Sequence, residues 1–257
     1  MDKKIVDGAN TLFYRDEGAG LPVVLLHGFA EDHTVWNIQV ENLKASCRLI
    51  IPDLPPASIE LMAESTLTIL NHEGIDQCVL IGHSMGGYIT LAFAEKYPDR
   101  LKGFGLFHST AYPDSEEKKA ARRKSNEFIR TNGAAPFIRQ STPNLFAAST
   151  RTSRPDLIET MIDRYSGLAP DTLIAWYEAM IHRPDRTAVL RDSAIPVLFV
   201  IGKEDQAIPP EHTLQQSHLP SISHIHILQH SAHMGMLEEP DLSNNLLQSF
   251  LNFVKHT

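Results

Sequence analysis

Five short runs in this chain are apolar on every side: Pro22 to His27, Arg48 to Pro52, Val79-Leu80-Ile81, Gly103 to Phe107, and Val197 to Gly202. A strand that is apolar at consecutive positions has no face left for water, because its side chains alternate between the two faces of a sheet. Such strands fit a parallel sheet covered by helices on both sides. Helical patterns fill the gaps between them. Met85, Ile89, Ala92 and Phe93 share one face of a segment that Tyr97-Pro98 ends, and Leu242, Leu246, Phe250 and Phe253 share one face near the C-terminus. Strands alternating with helices call for right-handed crossovers in an open α/β sheet. Two shorter strands, Lys3 to Val6 and Thr11 to Arg15, open the chain around the turn signal Asp7-Gly8-Ala9-Asn10. Ile225-His226-Ile227-Leu228 is the last strand.

One stretch breaks the alternation. Residues 112–190 contain no convincing strand; their helical patterns are cut by Gly133, Pro136, Pro143, Pro155 and Pro170. The expected organisation is therefore a core domain built from residues 1–111 and 191–257, with a helical insertion of residues 112–190 after the sixth strand, lying over the carboxyl edge of the sheet.

Gly82-His83-Ser84-Met85-Gly86-Gly87 sits between an apolar strand and a helix. This is a G-x-S-x-G sequence in the strand–turn–helix context that a nucleophile elbow requires. A serine hydroxyl is a weak nucleophile at neutral pH. It needs a base to take its proton and N–H groups to hold the oxyanion that follows. The base and its orienting acid are expected further along, acid first. Asp205 lies after the strand ending near Ile201, and His233 lies between the last strand and the last helix. His233 would take the Ser84 proton, and Asp205 would fix the imidazole tautomer. Glu204, one residue earlier, is the rival acid, although its side chain would aim elsewhere. His27-Gly28-Phe29 ends the third strand, so the Phe29 and Met85 N–H groups are the expected oxyanion pair.

Composition narrows the function classes. The 257 residues suffice for one large α/β domain with an insertion, and 42% apolar content supplies a full core. A net charge of −8 argues against nonspecific nucleic-acid binding. No apolar run approaches membrane-spanning length, which argues against a membrane partner. The N-terminal residues lack the apolar centre of a signal peptide, so a cytoplasmic location is the expectation. Cys47 and Cys78 read as buried, reduced thiols.

Other residues carry a sharp and a bland reading each. His83 reads as a structural neighbour of Ser84. His108, ending the sixth strand, is either a pocket wall or a satisfied core position. Trp176 either lines a substrate channel or packs the insertion, and Trp36 packs the helix after the His27-Gly28-Phe29 loop. Asp53 braces the loop near the elbow. Although there are 13 histidines, no acidic or cysteine partner completes a metal-ligand pattern around His224, His226 and His230, so no metal is expected. Lys118, Lys119, Arg122, Arg123 and Lys124 either attract an anionic substrate or form a solvated helix face.

Taken together, His27-Gly28-Phe29, Asp53-Leu54-Pro55, Gly82 to Gly87, Gly202 to Pro209 and Ala232-His233 resemble the α/β-hydrolase superfamily over nearly the whole chain. Within it the chain is similar to small, lidded esterases, enol-lactonases and cofactor-free perhydrolases. The resemblance implies an α/β fold with an eight-stranded, mostly parallel sheet, a helical cap after the sixth strand, and a triad of Ser84, Asp205 and His233. It further implies a cofactor-free serine hydrolase whose partner is a small-molecule carboxylic ester, lactone or thioester. Perhydrolysis, carbon–carbon bond hydrolysis, and a ligand-binding receptor with a slow triad are the alternatives. One departure stands out. The segment after Asp53-Leu54-Pro55 usually runs into a glycine-rich loop, whereas here Pro56-Ala57-Ser58 passes directly into a helix, which leaves that pocket wall undefined.

Overall fold

A computed structural model describes every residue except Gly8 and Ala9; the predicted turn at Asp7–Asn10 therefore lies in part outside the described residues. Eight strands form one sheet: β1 (Asp2–Asp7), β2 (Asn10–Gly18), β3 (Leu21–Leu26), β4 (Cys47–Pro52), β5 (Cys78–His83), β6 (Leu101–Phe107), β7 (Val197–Gly202) and β8 (Ser223–Leu228). Their spatial order is β1-β2-β4-β3-β5-β6-β7-β8. β2 runs antiparallel to both β1 and β4, and every other pairing is parallel. This matches the expected eight-stranded, mostly parallel sheet. Every residue of β5 and β7 is buried, as continuous apolar runs require.

Helices cover the sheet: α1 (Asn37–Leu43), α2 (Ile59–His72) and α3 (Met85–Lys96) come from the first half of the chain. The connection from β6 to β7 is entirely helical among its regular elements. It contains α4 (Glu116–Asn132), α5 (Ala134–Ser141), α6 (Ala148–Ser153), α7 (Pro155–Tyr165), α8 (Pro170–His182) and α9 (Thr187–Arg191), plus a 3-10 turn at Thr142–Leu145. The prolines that interrupt the sequence pattern begin helices here. Pro155 and Pro170 occupy the first turns of α7 and α8, where a missing N–H costs nothing. Ser115 opens α4 by accepting a hydrogen bond from the Lys118 N–H at 3.3 Å. α10 (Pro210–Leu214), α11 (Gly235–Glu238) and α12 (Pro240–His256) complete the chain.

Two periodicity readings need correction. α3 is buried all round from Met85 to Ala94, because β3, β5, β6 and α2 surround it, so it has no single apolar face. α12 buries Leu246, Leu247, Phe250, Leu251 and Val254, whereas Leu242 and Phe253 are exposed. The buried stripe is rotated towards Leu247 and Leu251, and the Phe253 ring instead lies against His224 of the edge strand, with centroids 4.6 Å apart. Cys47 and Cys78 are free and buried, and burial pushes the Cys78 thiol up to about 12.

Candidate active site

The turn from β5 into α3 holds Ser84 at φ +50° and ψ −113°, a backbone conformation costly for a residue with a side chain. The surroundings enforce it. A Cβ on Gly82 would overlap the Gly86 backbone, and one on Gly86 would lie 2.6 Å from the Leu26 carbonyl oxygen. The Ser84 N–H donates to the Phe107 carbonyl at 2.9 Å, and its own carbonyl accepts from the Ser109 hydroxyl at 2.7 Å. With its peptide groups held on both sides, the serine cannot relax.

His233 enters from the loop after β8. Its Nε2 lies 2.8 Å from Ser84 Oγ, and its Nδ1 lies 2.8 Å from Asp205 Oδ2. The other Asp205 oxygen accepts the N–H groups of Ala207 and Ile208 at 2.8 and 2.9 Å. Burial alone would raise the Asp205 carboxyl. The positive charge available on His233, its hydrogen bond and the nearby His108 ring outweigh it, holding the group well below the usual carboxylate range. Glu204 is turned away, its carboxylate 3.4 Å from the Ala148 N–H.

Phe29 follows Gly28, whose own N–H donates to Glu31 Oε2 at 2.6 Å. Neither the Phe29 nor the Met85 N–H meets a protein acceptor among the described residues. His27 shapes this loop as a neutral ring. Its Nδ1–H donates to the Gly28 carbonyl at 2.8 Å, and its Nε2 accepts from the Leu54 N–H at 2.9 Å. Burial accordingly lowers its proton affinity.

Sequence reasoning missed Glu31. His83 Nδ1 lies 3.0 Å from Glu31 Oε2, and His83 Nε2 lies 2.9 Å from the His233 carbonyl. Both ring nitrogens therefore face acceptors, which calls for the doubly protonated imidazole. Burial opposes that charge, but the Glu31 carboxylate overrides it and raises the His83 proton affinity; His83 in turn lowers that of Glu31. One buried ion pair thus ties the Gly28 amide to the loop carrying His233. The two residues stand 52 positions apart, and no local pattern links them. Glu238 was missed for the same reason. Its Oε1 accepts from the Ala232 N–H and its Oε2 from the Ala147 N–H and the Thr150 hydroxyl, each at 2.8 Å.

His108 and Trp176, each readable from sequence as pocket wall or as packing, both take the packing role. His108 does not line the cavity beside Ser84. It is buried behind Asp205, with the Gly202 and Gly235 N–H groups 3.1 Å from Nδ1 and Nε2. Trp176 is also outside the cavity lining, because its ring packs edge-on against His27 and Phe29 while its Nε1–H donates to the Pro55 carbonyl at 3.0 Å. That bond closes the side where the glycine-rich loop is missing, and no residue from Asp53 to Ser58 lines the cavity. Asp53 accepts the His33 N–H at 3.0 Å and bonds His33 Nδ1 at 2.8 Å, bracing the short turn that carries the buried Trp36. The basic cluster divides. Arg123 and Lys124 are exposed, whereas Lys118 and Arg122, one helical turn apart, line the cavity.

The cavity itself holds about 170 Å³. Ser84, His83, His233 and Phe29 form its floor, and side chains of α4, α5, α7 and α8 wall it. No group of three or more His, Cys, Asp or Glu side chains among the described residues is arranged to hold a metal ion. No described helix is long and apolar enough to cross a membrane.

A sheet of this order, with a serine on the tight turn after its fifth strand and an acid and a histidine on later loops, defines a recognisable class of proteins. The family model for the alpha/beta hydrolase fold matches residues 22–240, and the chain belongs to that family. A thermophilic esterase from Thermogutta terrifontis, solved with malate bound, is 33% identical over 99% of each chain with a TM-score of 0.93. The enol-lactonase from Burkholderia xenovorans LB400 shares the fold, at 21% identity over 97% of this chain and 100% of that one, with a TM-score of 0.89. Among curated relatives, a putative carbamate hydrolase from Azorhizobium caulinodans is 23% identical over 95% of this chain and 96% of its own. The 2-hydroxymuconate semialdehyde hydrolase of a Pseudomonas species is 24% identical over 92% of this chain and 88% of its own. These relatives are hydrolases, and hydrolysis is the activity the family likeness supports.

Proposed function

We propose that this protein is a serine hydrolase that cleaves a small carboxylic ester, lactone or thioester through an acyl-enzyme. The line of hydrogen bonds from Asp205 through His233 to Ser84, 2.8 Å at each link, is the observation that carries this reading. Ser84 Oγ attacks the acyl carbon as His233 Nε2 takes its proton, and Asp205 stabilises the imidazolium. The Phe29 and Met85 N–H groups receive the negative charge that develops on the carbonyl oxygen. Collapse of the tetrahedral intermediate breaks the bond to the leaving alcohol or thiol, which takes the proton from His233. A water molecule then gives a proton to His233 and its oxygen to the acyl carbon. The second collapse returns that proton to Ser84 and releases the acid. Residues 112–190 act as the cap, since their helices form the walls above Ser84. The sequence-based expectation of a cytoplasmic, metal-independent enzyme belongs to the same reading.

A fluorophosphonate label on Ser84, combined with multiple turnover of simple aryl esters, is the expected result. Ser84→Ala should lose at least about a thousandfold in kcat while keeping its melting temperature. Wild-type turnover in that variant would refute the assignment, and single turnover in the native enzyme would favour a ligand-binding receptor. The match to 2-hydroxymuconate semialdehyde hydrolase keeps carbon–carbon bond hydrolysis as a second reading. Cleavage of 2-hydroxymuconate semialdehyde faster than any ester would select it.

A further inference from the structure

The cavity beside Ser84 is lined by two cations: Lys118, which meets no carboxylate among the described residues, and Arg122, which shares its single carboxylate with a second arginine. We propose that Lys118 and Arg122 form a carboxylate-recognition subsite, so that the preferred substrate is an ester or lactone bearing a second, free carboxylate. This inference rests on the serine-hydrolase reading and names the substrate class of that site.

The charge pattern carries the argument. Asp114 is buried and serves two guanidinium groups at once: its Oδ2 accepts from Arg122 Nε at 2.6 Å, and its Oδ1 accepts from Arg183 Nη2 at 2.9 Å. Lys118 meets no acid among the described residues. Its ammonium donates to the neutral Ala207 carbonyl at 2.6 Å. Two arginines therefore share one carboxylate, and Lys118 stands beside them without one. Arg183 is spent inside the wall, lying 3.8 Å over the Tyr88 ring and donating to the Met180 and Tyr112 carbonyls. Lys118 and Arg122 line the cavity itself. Among the described residues, the only acid lining that cavity is Glu31, which is already paired with His83 and the Gly28 amide.

In a chain of net charge −8, two cations facing an otherwise largely aromatic and aliphatic hollow are not explained by surface solvation. A cation partly removed from water attracts an anion more strongly than one at the surface. The spacing suits the task as well. The two side chains project from one face of α4 one turn apart, and the Arg122 guanidinium lies 5.3 Å from the Tyr177 ring, which stacks on Phe29 at 4.0 Å. Phe29 contributes one of the amides proposed to bind the oxyanion. The cationic pair and the acyl-binding end thus share one continuous wall.

Paired substrates of similar shape test this. On the acyl side, 4-nitrophenyl hydrogen glutarate is compared with 4-nitrophenyl pentanoate. On the alcohol side, 4-acetoxybenzoate is compared with 4-tolyl acetate. The expected result is a kcat/KM ratio of about ten to a hundred in favour of the anionic member of one pair, which also identifies where the carboxylate sits. Lys118→Met should collapse that ratio at least about tenfold, and Lys124→Met, on the exposed face of the same helix, should leave it as in the native enzyme. If Lys118 only clamps α4 to the Asp205 loop, both members of each pair will fall together and the ratio will stand, which overturns the proposal. Ser84-dependent turnover without anionic preference also overturns it while sparing the hydrolase reading. Should no ester be turned over, calorimetry with glutarate on the Ser84→Ala protein decides. Binding abolished by Lys118→Met sustains the subsite without the catalytic reading, and no binding removes both.

Discussion

Ser84 is held in a strained backbone conformation. Its positive φ is imposed by the close crossing at Gly82 and Gly86 and by the bonds to Phe107 and Ser109, not by any preference of serine. Glycine tolerates this region, so Ser84→Gly should exceed Ser84→Ala in stability by about 1 kcal/mol in urea titrations. Equal stability of the two would mean that the turn is unstrained. His108 is the other residue with a measurable signature. Burial lowers its proton affinity to about 4, although Asp205 beside it pulls the other way. The unfolded chain takes up this proton near 6.5, so between about 6.5 and 4 the unfolded state binds it and the folded state does not. Stability should therefore fall by up to about 3 kcal/mol as pH drops through that window. His83, whose proton affinity is raised, contributes oppositely: its stabilisation is complete below the unfolded value and is lost as pH rises through the folded one. Urea midpoints measured against pH should show the acid decline in the native protein and a distinctly shallower one in His108→Gln. Parallel curves would remove His108 as the cause.

Among the elements, the loop between β8 and α11 is tied to its surroundings at several points. The His233 N–H donates to the Leu145 carbonyl at 2.9 Å, and Glu238 accepts from Ala232 on one side and from Ala147 and Thr150 on the other. A single carboxylate thus joins the loop bearing His233 to the helical connection between β6 and β7. Glu238→Ala would strand at least two buried N–H groups and should cost about 2–4 kcal/mol. It should also lower kcat, because His233 loses its fixed position. A melting temperature and kcat both at native values would show that the helical connection and the loop are held by packing alone. None of this was visible along the chain, where Glu238 reads as an ordinary helix acid. By contrast, the helix starts at Ser115, Pro155 and Pro170 rest on local signals, although the two prolines read along the chain only as breaks in the helical pattern.

For the whole molecule, cavity size sets what enters. A space of about 170 Å³ bounded by four helices is small beside typical ligand pockets of roughly 300–1,000 Å³. Acetyl and butanoyl aryl esters should therefore be cleaved at least about tenfold faster than octanoyl esters in kcat/KM, since forcing extra methylenes into a filled space costs about 1–3 kcal/mol. An octanoyl preference would mean that the helical walls open. The sequence by itself determined the parallel sheet, the turn holding Ser84 and the placing of Asp205 and His233 on later loops. Continuous apolar runs can bury only between two helical layers, and strand–turn–helix geometry is a local property of the backbone. Tertiary structure alone decided that Lys118 and Arg122 face Ser84 while Arg123 and Lys124 face water, that His108 and Trp176 stand behind the cavity, and that Glu31 reaches His83. Those outcomes depend on how distant elements pack and on which buried charges find a partner, and neither is encoded in the spacing of residues along one segment.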